Sequence, residues 1–150
     1  LRAEVRALQE AGQELDVVFL VYATAPMLEP KDLHGALESF IKNPSIPLLS
    51  VVDTGAPMEK LFVDVDGILQ PFDPERFRKN SQALTRCFKD AGAFGVLLVD
   101  FLLSQHKGNE PFQFRPYVIP PWKGLDIDTE EDWVFAELIR AGLSKKNRIY

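Results

Sequence analysis

One cysteine and two histidines in 150 residues leave little room for several kinds of chemistry. Cys87 has no intrachain partner, which excludes a disulfide framework and fits a reducing, cytoplasmic setting. As a nucleophile it lacks an obvious base, because His34 and His106 are the only imidazoles. Basic residues are also short: 17 Lys and Arg against 22 Asp and Glu give a net charge of −5. That balance argues against broad nucleic-acid binding, which needs a basic stripe, while a few local cations could still hold one small anion. Long apolar runs are missing. The longest, Val17 to Leu28, is broken by Thr24 and Pro26 and falls short of the roughly twenty residues of a membrane span. No signal-peptide pattern opens the chain. Leu1, Val5 and Leu8 instead follow the i, i+4, i+7 spacing of a helix, and a first residue already inside an element predicts that further sequence precedes it.

What is present is ordinary globular material, 46% apolar and 26% charged, enough for one domain or a large part of one. Leu1 to Ala11 reads as a helix closed by Gly12. Asp16 to Thr24 is rich in Val, Phe and Leu, the mark of an interior strand buried on both faces. Pro30 starts a helix whose apolar stripe is Leu33, Ala36, Leu37, Phe40 and Ile41. Ile46 to Val52 is a second buried strand, and Leu61 to Val65 a short third. Residues 66–88 are polar and irregular, a length that predicts a functional loop or an interaction arm carrying Ile68, Leu69 and Phe72. Ala93 to Leu98 reads as a strand running into a short helix, Phe114 to Ile119 as an edge strand, and Glu130 to Ala141 as the last helix. Strands alternating with helices predict an α/β layer fold with a mainly parallel sheet.

The most informative stretch is Asp126-Ile127-Asp128-Thr129-Glu130-Glu131-Asp132-Trp133. In an extended segment Asp126 and Asp128 point to one side, and two carboxylates there suit Mg²⁺, which fills its other positions with water and substrate phosphates. The same acids also suit the positive end of a helix dipole, so either role explains them. Thr129 and Asp132 have the spacing of a capping box. Three further segments could border a ligand. Tyr22-Ala23-Thr24-Ala25-Pro26 ends the first strand, where small residues admit a ligand and Thr24 offers a hydroxyl, or where the strand simply stops. Asn80-Ser81-Gln82, beside Arg78 and Lys79, offers donors to a polyhydroxylated acid or forms a solvated loop. In Asp90-Ala91-Gly92-Ala93-Phe94, Gly92 admits a tight turn and Phe94 is pocket wall or core.

Taken in order, Tyr22-Ala-Thr-Ala-Pro26, Ser81-Gln82, Asp90-Ala-Gly-Ala-Phe94 and Asp126 to Trp133 with Ala136-Glu137 resemble the acylneuraminate cytidylyltransferases, and most of all their pseudaminic acid branch. The resemblance runs from about residue 1 to 143. It implies a Rossmann-like nucleotidyltransferase fold with helices on both faces of the sheet, commonly a homodimer, with residues 66–88 as a dimerisation arm. It implies transfer of CMP from CTP to the anomeric hydroxyl of a nonulosonic acid, with release of pyrophosphate and a need for Mg²⁺. Asp126 and Asp128 then match the catalytic acidic pair that holds the metal. Tyr22 and Thr24 match the strand end lining the sugar-acid site, Gln82 a polar residue near it, and Phe94 an aromatic at its wall. The chain departs from the family at Asn80 and Ala83, where Arg and Asp are usual, and at Gly95, where Tyr is usual. No Gly-rich, basic phosphate loop and no cytosine-reading segment is recognisable, so these residues alone are expected to be inactive, or to serve as a subunit-association module.

Overall fold

One strand running against its neighbours organises the molecule. The computed structural model describes residues 1–78, 85–104 and 113–146. In chain order the elements are α1 (Arg2–Glu10), β1 (Val17–Val21), α2 (Pro30–Ile41), β2 (Leu48–Asp53), a 3₁₀ turn at Met58–Lys60, β3 (Phe62–Val65), β4 (Ile68–Pro71), α3 (Pro74–Phe77), β5 (Phe88–Leu98), α4 (Val99–Leu103), β6 (Arg115–Val118) and α5 (Glu130–Lys146). The main sheet has the order β1-β5-β2-β6. β5 is antiparallel to both β1 and β2, and β6 is parallel to β2. β1, β2 and β6 therefore share a direction, but the sheet is mixed, with mostly antiparallel pairings, and not mainly parallel as expected. Apolar composition reports which faces of a strand are covered and carries no sign of the neighbour's direction.

The same reason corrects the position of the first strand. β1 lies at an end of the sheet, with β5 as its partner among the described residues. Its run is apolar because both faces are partly covered. Val17 and Phe19 pack on the core, while Leu20 and Tyr22 line a cavity with Leu1, Arg2 of α1, and Phe101 and Leu102 of α4. The core itself lies between α2 and the sheet, where Ala36, Phe40, Leu48, Phe94 and Val96 are almost wholly buried. Ile41, placed in the apolar stripe, is 63% exposed at the end of α2.

β5 is longer than its apolar half, because its first three residues, Phe88 to Asp90, pair with Asp53 to Val51 at the end of β2. Between Leu49 and Val51 the partner on β5 jumps from Gly95 to Asp90, so residues 91–94 bulge opposite Ser50. Ser50 is fully buried, and its hydroxyl accepts the amide of Phe94 at 2.8 Å. A bulge breaks the ladder and leaves such a donor without a backbone partner, so the hydroxyl replaces the missing acceptor.

Residues 66–78 hold more order than expected. β3 and β4 form a separate hairpin, Phe62 to Val65 against Ile68 to Pro71. Asp66 and Gly67 both have positive φ, at 55° and 79°, the turn chemistry that suits a two-residue hairpin. Pro74 and the capping carboxylate of Asp73, which accepts the Arg76 amide at 2.9 Å, then start α3. Among the described residues no helix is long and apolar enough to cross a membrane.

Candidate active site

After β6, residues 119–128 run as a strap across the ends of β2 and β5 towards β1. The Ile119 amide donates to Val51 O at 2.9 Å, and turns at Pro120 and Pro121 hold the amides of Lys123 and Gly124. Gly124 sits where a Cβ would collide with Val52 and approach the Cβ of Ala91 at 3.3 Å, so only glycine lets the strap lie this close to the sheet. Further on, the Ile127 amide donates to Thr24 O at 3.2 Å. That bond brings the acidic segment to the turn that follows β1, which ends at Val21 and not at Thr24 as expected.

Asp126 meets the bulge of β5. Gly92 has φ +59°, and a Cβ there would lie 2.6 Å from Asp126 Oδ2. Left-handed backbone and close approach both favour glycine at this turn. The Gly92 amide donates to Asp90 Oδ1 at 3.0 Å, which braces the turn from its other side. Asp126 and Asp128 are exposed and flank the half-buried Ile127, the alternation expected of an extended segment.

The start of α5 is a reciprocal cap. The Thr129 hydroxyl and amide donate to Asp132 Oδ2 at 2.7 and 2.9 Å, and the Asp132 amide returns to Thr129 Oγ1 at 3.2 Å. The Asp128 amide also donates to Asp132 at 3.2 Å. These bonds, the Thr129 hydroxyl first, hold the Asp132 carboxyl below its ordinary pKa. Asp132 is thus occupied with capping. Asp128 lines a shallow depression with Ile127, Thr129, Glu130, Trp133 and Val134.

Not every anticipated residue gathers here. Thr24, Gly92 and Asp126 meet at one corner. Tyr22, 44% exposed, lines the cavity of about 410 Å³ on the α1 and α4 side, together with Asp90 and Gly95. Phe94, expected at a ligand wall, is 0% exposed and packs against Tyr117 with ring centroids 5.7 Å apart. Its correction follows from the pleat: Phe94 and Gly95 point to opposite faces, and Phe94 takes the core side. Gln82, with Asn80 and Ser81, lies outside the described residues.

Sequence patterns missed the best-made ionic feature. Lys123 is 3% exposed, and its ammonium lies 2.5 Å from Glu29 Oε2 and 2.6 Å from Asp32 Oδ2. Asp32 also accepts the Glu29 amide at 2.9 Å, and Lys31 reaches Glu29 at 3.0 Å. Burial by itself lowers the Lys123 pKa, but the hydrogen bonds to Asp32 and Glu29 outweigh it and leave it raised. Hydrogen bonds from Lys123 and then Lys31 lower Glu29 to about 2. The only signal in the sequence is Asp32 on the inner side of α2, a buried acid that requires a cation.

The fold is an α/β sheet in which an acidic pair ahead of the N-terminus of α5 lies beside the turn that follows β1. By sequence, the chain is similar to pseudaminic acid cytidylyltransferases. It is 34% identical over 140 residues, 90% of its length, to the pseudaminic acid cytidylyltransferase of Campylobacter jejuni subsp. jejuni serotype O:23/36, and equally to that of serotype O:2. It spans 58% of the length of each of these relatives. No protein-family model matches the chain.

Proposed function

We propose that this chain is the sugar-acid and metal-holding part of an enzyme that transfers CMP from CTP to the anomeric hydroxyl of a pseudaminic-type nonulosonic acid and releases pyrophosphate. The likeness to two pseudaminic acid cytidylyltransferases carries the reading. The corner where Thr24, Gly92 and Asp126 meet supports it, because three of the family-like motifs come together there. On this reading the mixed sheet is part of a Rossmann-like layer.

Asp126 and Asp128 suit Mg²⁺ by their donor chemistry. They are hard oxygen donors, both exposed, two residues apart. Among the described residues no cluster of three or more His, Cys, Asp or Glu would hold a metal outright. A cation that takes one or two carboxylates and completes its shell with water and phosphate oxygens fits such a pair. When bound, Mg²⁺ would neutralise phosphate charge and help orient the leaving group. The chain's own part is positioning: the Thr24 carbonyl holds Ile127, Gly92 seats Asp126, and the Thr129 cap fixes the direction in which α5 leaves.

Donors for a triphosphate and for cytosine are not recognisable in these 150 residues, so the full reaction needs contacts from elsewhere. Calorimetry with CTP and ATP, with and without Mg²⁺, tests this division. Weak, Mg²⁺-dependent binding without preference for cytosine is expected. A clear CTP preference shown by the chain alone would contradict it.

One observation favours association as a role of its own. Phe62, Val63, Val65, Ile68, Leu69 and Phe72 on the hairpin are each more than 40% exposed. A lone two-stranded hairpin is marginal in water, and apolar side chains gathered on one invite a partner. We take the hairpin to be the contact of a homodimer.

A further inference from the structure

The geometry points to Lys123 as a positioning residue that holds the acidic pair in place. Lys123 stands in the strap three residues before Asp126 and five before Asp128. Its backbone is turned by the bond from its amide to Pro120 O at 2.8 Å. Its side chain runs under the strap to the start of α2, where Glu29 and Asp32 take the ammonium at 2.5 and 2.6 Å. Its charged end is also 5.3 Å from the centre of the Trp122 ring. Lys31 adds a second cation to Glu29, so two ammonium groups balance two carboxylates.

The strap has few other anchors. Between Gly124 and Thr129 the backbone is bonded to the β1–α2 connection through the Ile127 amide, which donates to Thr24 O at 3.2 Å. That carbonyl lies five residues before Glu29, and the Lys123 clamp grips the same connection at its far end. The strap is therefore tied to the β1–α2 connection at two points, Lys123 and Ile127. Asp126 lies between the ties, and Asp128 follows the second. Releasing the first tie loads the second, a single hydrogen bond near the upper end of normal length. A buried lysine with two acceptors has a geometry few other side chains can reproduce, and losing it leaves Asp32 buried without its cation.

What the strap carries rests on the metal-holding reading above; the clamp itself does not. Amide hydrogen exchange by NMR on the 150-residue chain separates the two. In Lys123→Met the Ile127 amide should exchange about tenfold faster while core amides such as Val96 keep their protection, the mark of local opening. Lys123→Arg, which keeps the charge, should stay within about threefold of the unsubstituted chain. If Lys123→Met does not fold, Glu29→Gln takes its place, with a smaller loss expected because Asp32 still holds the lysine. Mn²⁺ line broadening at Asp128 and Thr129 gives the metal readout, and it should weaken with the loss of Ile127 protection. Ile127 protection that is unchanged, or that falls only in step with Val96, would overturn the positioning role. Loss of Ile127 protection without Mn²⁺ broadening in any form would uphold the clamp and count against the metal.

Discussion

The carboxylate of Asp126 rests against the Cα of Gly92, so closely that a Cβ on the glycine would lie 2.6 Å from Oδ2. Gly92 also has φ +59°, so its backbone shape and the seat of the acid are one feature. Gly92→Ala should cost about 1–3 kcal/mol, from strain and displaced carboxylate together. In an Asp126→Gly background the same change should cost less, because only the backbone strain remains. Urea denaturation of the four forms measures the difference. Equal costs in both backgrounds would show that the contact is incidental.

Phe94 belongs to the core. Phe94→Ala should destabilise the chain by about 3–5 kcal/mol, the usual loss for a buried phenylalanine. Tyr22→Ala, on the exposed cavity side, should cost far less. Denaturant midpoints decide it: a Phe94→Ala chain as stable as the parent would return the ring to the ligand wall.

The clamp around Lys123 sets the pH response. Glu29 ionises at about 2 in the folded chain against 4.5 ordinarily, so the stability it contributes is present above 4.5 and is lost as pH falls towards 2. Asp53 and Asp132 are also lowered and add with the same sign. Lys123 is raised, so its contribution is complete below 10.5 and is lost as pH climbs through its higher folded value. Urea midpoints from neutral pH down to 2 should decline below 4.5, less steeply in Glu29→Gln. An identical acid limb in both forms would remove Glu29 from the account.

The hairpin predicts a concentration-dependent dimer. Ile68→Asp with Leu69→Asp should give a monomer by light scattering and leave the thermal midpoint within a few degrees, since both side chains are more than 60% exposed. A parent chain that stays monomeric at high concentration would count against the hairpin as a subunit contact.

Much of this was legible in the residues, for identifiable reasons. Capping chemistry is local, so Thr129 and Asp132 could be paired from their spacing. Gly92 marked a special backbone position, although it lies in a bulge inside β5 and not in a turn leading into the strand. Asp66-Gly67 between two apolar runs is an equally local hairpin signal, obscured by treating the stretch after Val65 as one irregular loop. Strand direction and edge position depend on which segments meet, and Val17 to Val21 reads the same with one neighbour or two. The fate of Phe94 turned on the pleat register of the bulge, which Ser50 fixes from another strand. Lys123 was hidden for a related reason: its partners lie 91 and 94 residues away.

The most direct test of the cytidylyltransferase assignment is pyrophosphate release from CTP with pseudaminic acid and Mg²⁺. The chain would be assayed alone and mixed with the portion of the Campylobacter jejuni enzyme that its match leaves uncovered. The account predicts no release by the chain alone and release in the mixture that depends on both substrates. It also predicts a loss of at least about a hundredfold in Asp128→Asn with little change in thermal midpoint. Release that proceeds equally with ATP, or that survives Asp128→Asn, would contradict it.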